Sequence, residues 1–356
     1  MDQKSQDFLY RYLNANAPTG FEVAGQKIWL DYIKPYIDEY FVDNYGTVVG
    51  VVNPEAEYKV VIEAHADEIA WYVNYIDDKG YLYVARNGGS DFEIAPSMRV
   101  KIHGENGVVD GIFGWPAIHV RGGKEGPKPN AEKLTIDVGA HSKDEVNELG
   151  IQVGTVVTFD QDLTELNNRY LCGRALDNRI GGFMIAEVAR RLKEGNVKLP
   201  FGLYIVNAVQ EEVGLNGARM VTDRIKPDVA IVTDVCHDTQ SPLYNKIKQG
   251  DFSAGDGPVL TIAPAVHNNL LKILFDTAKK HDIAYQRAAS SRSTGTDTDA
   301  FAYSNGGVVS ALISLPLKYM HTTVEMTHKD DVESVIQLIF NALQQIEDKH
   351  DFRYFS

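Results

Sequence analysis

The chain has few cysteines, no long apolar run and no excess of basic residues. Cys172 and Cys236 are the only cysteines among 356 residues, too few for a framework of disulfide bonds, which fits a reducing compartment. Every apolar run is well short of the roughly 20 residues that cross a membrane. The 49 Asp and Glu residues outnumber the 35 Lys and Arg residues, and this acidic balance argues against nucleic acid as a partner.

The first residues, MDQKSQDFLYRYL, also lack the basic start and apolar centre of a secretory signal. We therefore expect a cytoplasmic protein that has no membrane partner. With 356 residues, of which 44% are apolar, the chain is long enough to bury one large core and a second, smaller one.

The spacing of apolar residues changes twice along the chain. Residues 5–64 begin with helical spacing, as in EVAGQKIWLDYIKPYI, and continue with short apolar strands such as KVVIEA. Residues 69–159 contain short strands separated by turn residues, which is typical of a small β-barrel or sandwich, and one helix is predicted at SKDEVNELG. From Asp177 onward, helices and strands alternate again.

These changes predict an α/β domain that is interrupted by a β-rich domain. We assign residues 1–68 and 164–356 to the α/β domain and residues 69–163 to the insertion. Within the insertion, the charged segment KEGPKPNAEK (124–133) contains Gly and Pro and is expected to be the most mobile loop.

Five apolar or strand-like segments each end with a side chain that can bind a divalent metal ion. These side chains are His65, Asp177, the pair Glu211 and Glu212, Asp234 and His321. Because the carboxyl ends of parallel strands share one edge of an open α/β sheet, we expect the five segments to converge there. Two imidazoles and several carboxylates suit a pair of zinc-like ions, and such a pair equips a protein for hydrolysis.

His65 alone is better explained as a hydrogen-bonded histidine at the end of a strand. Asp67, two positions later, favours the metal, because a metal-bound imidazole usually donates its other ring N–H to a carboxylate. Asp177 has a commoner structural role as the cap of the helix that begins at Asn178. Both roles can coexist, since its carboxylate has two oxygens, one for each ion of a bridged pair.

Glu211 and Glu212 follow the apolar strand YIVNAV, where two buried acids are costly without a cation. Adjacent side chains on extended backbone point in different directions, so one can bind a metal ion while the other reaches a water molecule. The alternative is a pair of solvated glutamates on a loop.

Asp234 follows the strand VAIVT, and His321 follows ISLPLKYM; each alone reads as an ordinary loop residue. His237 and Asp238 are rival ligands, less favoured because DVCHD reads as a loop. The GDGP and GTD segments read as turns. Surface or packing roles are expected for His103, His119, His141 and His328.

The combination of these motifs resembles the tetrahedral (TET) aminopeptidases of metallopeptidase family forty-two, which include glutamyl aminopeptidases. The resemblance spans nearly the whole chain, through APTGFE, AHADE, ALDNR, QEEVGLNGAR, GDGP, GTD and KYMHTTVE. It implies a mixed-sheet dizinc peptidase domain with helices on both faces, interrupted by a β-rich domain that serves in assembly or as a lid. It also implies a homo-oligomer, in many members a tetrahedral dodecamer.

The resemblance assigns a role to each site residue. It places one metal ion on His65 and Asp234, the other on Glu212 and His321, and Asp177 between the two. Glu211 is then the general base and Asp67 the partner of His65. Zinc is the expected ion, with cobalt as the alternative, and short peptides are the expected substrates.

Two local departures from the family pattern concern substrate and metal preference. After Asp234, where the family usually has small or aliphatic residues, this chain has Val235, Cys236, His237 and Asp238. A soft ligand such as Cys236 would change metal selectivity. Asp299 stands where a small residue is usual, and an acid in the specificity pocket would favour basic over glutamyl substrates.

The sequence therefore predicts a metalloaminopeptidase. One alternative is a related dimetal amidohydrolase, a carboxypeptidase or deacylase, because one scaffold can host several chemistries. A cellulase is less favoured, since the sequence shows no separate pair of glycosidase carboxylates. A non-catalytic protein with structural metals would have no use for an unligated Glu211.

Overall fold

The computed structural model describes residues 1–121 and 128–355. The helices of these residues are α1 (Gln3–Asn14), α2 (Val23–Ile33), α3 (Lys143–Glu148), α4 (Leu176–Glu194), α5 (Asn216–Ile225), α6 (Lys246–Gln249), α7 (Asn268–Lys280), α8 (Asp297–Ala302) and α9 (Lys329–Leu343). The strands are β1 (Glu39–Val42), β2 (Val48–Val52), β3 (Lys59–His65), β4 (Ala70–Ile76), β5 (Leu82–Asn87), β6 (Arg99–Gly104), β7 (Gly107–Gly114), β8 (Thr135–Asp137), β9 (Val156–Phe159), β10 (Thr164–Leu166), β11 (Tyr170–Gly173), β12 (Gly202–Ala208), β13 (Val229–His237), β14 (Val259–Ile262), β15 (Gln286–Ala289), β16 (Val309–Leu317) and β17 (Glu325–His328).

The largest sheet has eight strands in the order β1-β2-β12-β3-β13-β16-β14-β15. Its central strands β12, β3, β13 and β16 are parallel, while β2 and β14 join them antiparallel. Strands β3 and β12 are buried along almost their whole length, as their continuous apolar sequences predict for strands covered on both faces. The parallel centre directs the carboxyl ends of these strands to one edge.

Helices cover the sheet on both faces. Helix α4 packs on β3 and β13 and against α1, α2 and α9, whereas α5 packs against α8. A glycine allows α4 to lie close to the sheet, because a Cβ at Gly181 would lie 2.9 Å from the Cβ of Ala64. This close approach brings the first turn of α4, with Asp177, beside the end of β3, with His65.

A closed barrel of six strands, in the order β4-β5-β8-β7-β6-β9, interrupts the α/β part of the chain. It has its own core, in which Trp71 packs against Phe92, Phe113 and Phe159. The predicted fold class, α/β with a β-rich insertion, is confirmed. The limits of the insertion, residues 69–163, stay a prediction, and the barrel strands extend from Ala70 to Phe159.

A small antiparallel sheet, β10-β11-β17, lies beside the site. Strand β11 leads into the segment before Asp177, and it pairs with β17 so that Gly173 lies opposite Glu325. The pairing brings the chain that precedes α4 next to the chain that follows His321. Two ligand-bearing segments that are far apart in sequence are therefore held at one place.

One element differs from the prediction. The segment DVCHD was expected to be a loop, but β13 continues through His237, pairing Asp234 with Ser314 and His237 with Leu317 of β16. The parallel partner β16 supplies main-chain hydrogen bonds that outweigh the weak strand preference of Asp, Cys and His. Residues 124–127 of the predicted mobile loop lie outside the described residues. No helix in the described part of the chain is long and apolar enough to cross a membrane.

Candidate metal centre

The predicted ligands lie together at the carboxyl-terminal edge of the parallel strands. His65 is the last residue of β3, Glu211 and Glu212 follow the end of β12, and Asp234 lies within β13. His321 lies in the turn after β16, and Asp177 lies in the first turn of α4. The structure therefore brings all five predicted segments to one place, as the topology of an open parallel sheet requires.

Asp177 lies between the two histidines. Its Oδ1 is 3.2 Å from Nε2 of His65, and its Oδ2 is 3.2 Å from Nε2 of His321. Asp177 is 7% exposed, so these contacts lie inside the protein. Each carboxylate oxygen thus faces a different imidazole, which is the arrangement that a carboxylate shared by two ions needs.

Two further carboxylates complete two groups around Asp177. Asp234 Oδ1 is 3.9 Å from Nε2 of His65, and Glu212 Oε1 is 3.5 Å from Nε2 of His321. The ligand atoms of each three-residue group lie within 4.8 Å of one another. Tetrahedral ligands about 2.0 Å from a zinc ion lie about 3.3 Å apart, so the separations fit one divalent ion in each group.

The charges of the centre also fit cations. Burial is the main cause that raises the pKa of Glu211. The nearby His65 lowers this pKa and Asp234 raises it, and its value is about 10. Burial likewise raises the pKa of Glu212. It also raises the pKa of Asp234, well above the ordinary value for an aspartate. Two imidazoles lie near these buried carboxylates but are fewer than them, and cations at the centre would compensate the remaining negative charge.

The two imidazoles respond to the same carboxylates. Burial lowers the pKa of His321, but its contacts with Asp177 and Glu212 raise this pKa by more than burial lowers it, to about 11. The pKa of His65 lies well above its ordinary value, because Asp177 and Asp67 outweigh the effect of burial. Burial raises the pKa of Asp177, yet the two imidazoles hold it well below its usual range. The carboxylate of Asp177 therefore stays ionised between two potential ligands.

Asp67 has more contacts than the sequence indicated. Its carboxylate lies 3.4 Å from Nδ1 of His65 and accepts a hydrogen bond from the Thr19 hydroxyl at 2.9 Å. The same carboxylate accepts the main-chain N–H groups of Glu211 and Glu212, at 3.0 and 3.2 Å. Asp67 is completely buried. Its carboxylate therefore contacts the strand end of His65, the loop of Glu211 and the N-terminal segment of Thr19.

Two features near the centre were missed in the sequence. Glu325 accepts hydrogen bonds from the main-chain N–H groups of His321 and Asp177. Gly89, in the barrel, lies so close to His321 that a Cβ there would overlap the imidazole. The only signals were the final glutamate of KYMHTTVE and the glycine pair of NGGS, and neither indicates what it contacts.

The rival ligands have other contacts. The Asp238 carboxylate accepts the main-chain N–H groups of Gln240 and Ala254, each at 2.8 Å, and His237 is exposed, with its ring 5.7 Å from that of Tyr244. Neither belongs to a possible metal group among residues 1–121 and 128–355.

The residues at the two departures have structural surroundings as well. Asp299 accepts the main-chain N–H groups of Thr294 and Gly295 at 2.9 and 3.0 Å. Cys236 is partly buried, and burial together with Asp234 raises the pKa of its thiol. Asp299 is therefore engaged in holding its own turn.

Two imidazoles and carboxylates at the strand ends of a mixed α/β sheet define a metal-dependent hydrolase. The chain belongs to the M42 peptidase family: the family model described as M42 glutamyl aminopeptidase matches residues 46–338. The resemblance predicted from the sequence is confirmed. As a member of this family, the protein is a metallo-aminopeptidase that uses divalent metal.

Relatives match over nearly the whole chain. A lysyl aminopeptidase of Pyrococcus furiosus is 32% identical over 344 residues, 96% of this chain and 97% of that protein. The crystal structure of a TET aminopeptidase from a marine sediment Thaumarchaeota archaeon is 29% identical, covers 97% of each chain and has a TM-score of 0.92. The TET1 peptidase of Pyrococcus horikoshii is 28% identical, covers 95% of this chain and 98% of that chain, and has a TM-score of 0.84.

Proposed function

We propose that the protein is a dinuclear metalloaminopeptidase that removes N-terminal residues from short peptides. The position of Asp177, with one oxygen 3.2 Å from each imidazole, carries this proposal. His65 and Asp234 would hold one ion, Glu212 and His321 the other, and Asp177 would be shared. Zinc is the proposed ion, with cobalt as the alternative.

Two divalent ions, when bound, would supply a Lewis acid for the scissile carbonyl and increase the acidity of the attacking water. Glu211 acts as the base. Its Oε2 lies 3.9 Å from Nε2 of His65, the same distance as Oδ1 of Asp234, so the choice of Glu211 as the base rests on the family resemblance and not on its distance from the imidazole. The raised pKa of Glu211 would be lowered by bound cations, so that its carboxylate can take a proton from the attacking water and then donate that proton to the nitrogen of the leaving amine.

Asp67 holds the base in place. It accepts the main-chain N–H of Glu211 at 3.0 Å and lies 3.4 Å from the Nδ1 of His65. The main-chain carbonyl of Asp67 lies 3.3 Å from the same ring nitrogen, and an oxygen acceptor there fixes the tautomer of the imidazole and directs Nε2 toward the centre. Asp67 is thus a positioning residue for both His65 and Glu211.

The charge of the centre supports cleavage at a free N-terminus. The centre has five carboxylates, those of Asp67, Asp177, Glu211, Glu212 and Asp234, and if bound ions keep all five ionised, their negative charge exceeds by one the positive charge of two divalent ions. The excess would attract a protonated α-amino group, which an acetylated peptide lacks. This feature favours an aminopeptidase over a carboxypeptidase, whose substrates present a carboxylate.

The names of the relatives suggest different preferred N-terminal residues, and these are to be tested. One relative is named a lysyl aminopeptidase and the family description names glutamyl substrates. The carboxylate of Asp299 already accepts two main-chain N–H groups, so it gives no support for a basic preference. Lysyl, leucyl and glutamyl substrates therefore belong in the first panel.

We also propose that the protein is a homo-oligomer, with a tetrahedral dodecamer as the expected form, in the cytoplasm. The relative from Pyrococcus horikoshii assembles into a tetrahedron or a large octahedral shell. The barrel exposes apolar side chains that a subunit contact would cover, among them Ile118 and Val120, each 73% exposed. Residues 69–163 would then form the domain that serves assembly.

The test of the proposed function is release of free amino acids from aminoacyl amides and short peptides. Matched N-acetylated substrates serve as controls, and the rates are measured before chelation, after chelation and after zinc or cobalt is added back. We expect cleavage that needs both metal and a free N-terminus. Equal cleavage of acetylated substrates, or release from the carboxyl end, would contradict the proposal and favour the deacylase or carboxypeptidase alternative.

A further inference from the structure

One buried carboxylate holds the main chain of two predicted ligands. Glu325 Oε1 accepts the N–H of His321 at 2.7 Å, and its Oε2 accepts the N–H of Asp177 at 3.1 Å. Glu325 is 2% exposed, so water does not replace these contacts. One side chain therefore connects two ligands that lie on different elements.

The turn that carries His321 needs this contact. His321 has a φ of 61°, in the left-handed region that residues other than glycine rarely adopt, and Tyr319 has a φ of 58°. Such a conformation persists only where the surroundings fix it. The hydrogen bond from its N–H to Glu325 is one contact that restrains the His321 main chain.

The start of α4 needs the second contact. Asp177 has φ −78° and ψ 112°, which is not helical, and the cap residue Ala175 has a φ of 58°. The first N–H groups of a helix have no partner within the helix, so a buried one requires an outside acceptor. Glu325 supplies that acceptor for Asp177.

The position of Glu325 is itself well fixed. It begins β17, which pairs with β11 so that Glu325 lies opposite Gly173, and Met326 forms a bridge with Lys318 just before the His321 turn. The carboxylate thus stands on a paired strand beside two irregular segments. A regular element sets the distance between two residues whose own backbones are not regular.

We propose that Glu325 is a positioning residue that sets the separation of Asp177 and His321 and thereby the affinity of one of the two cation sites. The site concerned is the group of Asp177, Glu212 and His321, since Glu325 holds two of its three members. The inference rests on the proposed two-ion centre. Glu325 itself touches neither the substrate nor the reacting atoms.

The test compares Glu325→Gln with Glu187→Gln in the full chain. Glutamine has nearly the same shape, but its amide NH2 cannot accept an N–H. Glu187 is a matched control because it is equally buried, at 1% exposed, and its contacts with Ser5, Tyr32 and Arg190 are unrelated to the predicted ligands. Zinc binding is measured by competition with a chromophoric chelator.

We expect the unaltered protein and Glu187→Gln to bind two zinc ions with the same affinities. Glu325→Gln should lose about 10- to 100-fold in affinity for one ion, the usual effect of removing a group that orients a ligand. His321→Ala provides the reference for loss of the same site. Glu325→Asp, which keeps the carboxylate on a shorter side chain, should recover part of the affinity.

A second measurement does not depend on metal. Hydrogen exchange is followed by mass spectrometry in the chelated protein. In Glu325→Gln, the peptides that contain Asp177 and His321 should exchange faster than in the unaltered protein. In Glu187→Gln, the exchange of these two peptides should be unchanged. Faster exchange at both places supports the inference. Unchanged exchange at both would overturn it even if the variant binds zinc poorly.

The remaining outcomes separate the inference from the function on which it rests. Two ions bound by folded Glu325→Gln with unaltered affinities would overturn the inference and leave the proposed function intact. An equal loss in Glu187→Gln would also overturn it, because the effect would then be general destabilisation. Fewer than two ions in the unaltered protein would refute the two-ion centre itself.

Discussion

The carboxylate of Asp67 accepts the main-chain N–H of Glu211 at 3.0 Å. This bond connects the segment after β3 to the loop after β12, on which the proposed base lies. Thr19 donates its hydroxyl to the same carboxylate at 2.9 Å, so the N-terminal segment supports it from another side. The position of Glu211 therefore depends on a residue far from it in sequence.

Asp67→Asn should lower kcat about 10- to 100-fold and also weaken binding of the ion proposed to lie on His65. Asparagine keeps one acceptor oxygen but turns an NH2 group toward an N–H or hydroxyl donor, so the Glu211 loop and the His65 ring lose their alignment. Steady-state kinetics and metal analysis measure the two quantities. Asp78→Asn, at an exposed position of the barrel, is the control. A kcat equal to that of the control would show that Asp67 has no positioning role.

Gly89→Ala should weaken zinc binding and lower kcat/KM by about 10-fold or more. The new Cβ would force His321 or the barrel segment to move, and a small displacement of a catalytic site greatly lowers the rate. Gly114→Ala is the control in the same barrel, where an added Cβ would lie 3.8 Å from the main-chain oxygen of Thr135, an ordinary contact distance. Normal kinetics in Gly89→Ala would show that the barrel does not restrain His321.

Glu22 predicts a dependence of stability on pH in the chelated protein. Burial and the nearby Asp67 raise the pKa of Glu22 from 4.5 to about 7. A raised acid pKa means that the folded state binds the proton more tightly, so the contribution of Glu22 to stability is greatest below pH 4.5 and falls as the pH rises toward 7.

Glu22→Gln should remove this loss, because the neutral amide can still accept the N–H of Gly20, as Glu22 does at 2.7 Å. The variant should be more stable than the unaltered protein at pH 8, by of order 3 kcal/mol, and the difference should vanish below pH 4.5. Thermal melting at both pH values measures it, with exposed Glu55→Gln as the control. A melting temperature that is lower than the control's at pH 8 would contradict the sign.

The convergence of the proposed ligands could be predicted because their signal is local. Each follows or lies in an apolar segment, and the rule that parallel strands end at one edge brings His65, Glu212 and Asp234 together without knowledge of the strand order. The fold class was predictable for the same reason, since the spacing of apolar residues changes where the barrel begins and ends. The β-strand at DVCHD was missed because pairing with β16, and not the intrinsic preference of those residues, makes it a strand.

The residues that hold the ligands in place could not be predicted. Glu325 acts through main-chain N–H groups, which every residue has, so nothing in the sequences around Asp177 and His321 shows that they need an acceptor. Gly89 matters only because its segment of the inserted domain lies against the imidazole of His321. Both contacts depend on how segments far apart in the sequence pack together, and the local sequence pattern does not predict that packing.

The most direct test of the account is the zinc content and turnover of Glu211→Gln on a peptide with a free N-terminus. We predict two bound ions, as in the unaltered protein, and a kcat lowered roughly 10²- to 10⁴-fold, because the ligands remain while the proton acceptor is lost. Glu212→Gln, next to it, should instead lose affinity for one ion. Turnover at the unaltered rate by Glu211→Gln with both ions bound would contradict the assignment of Glu211 as the base.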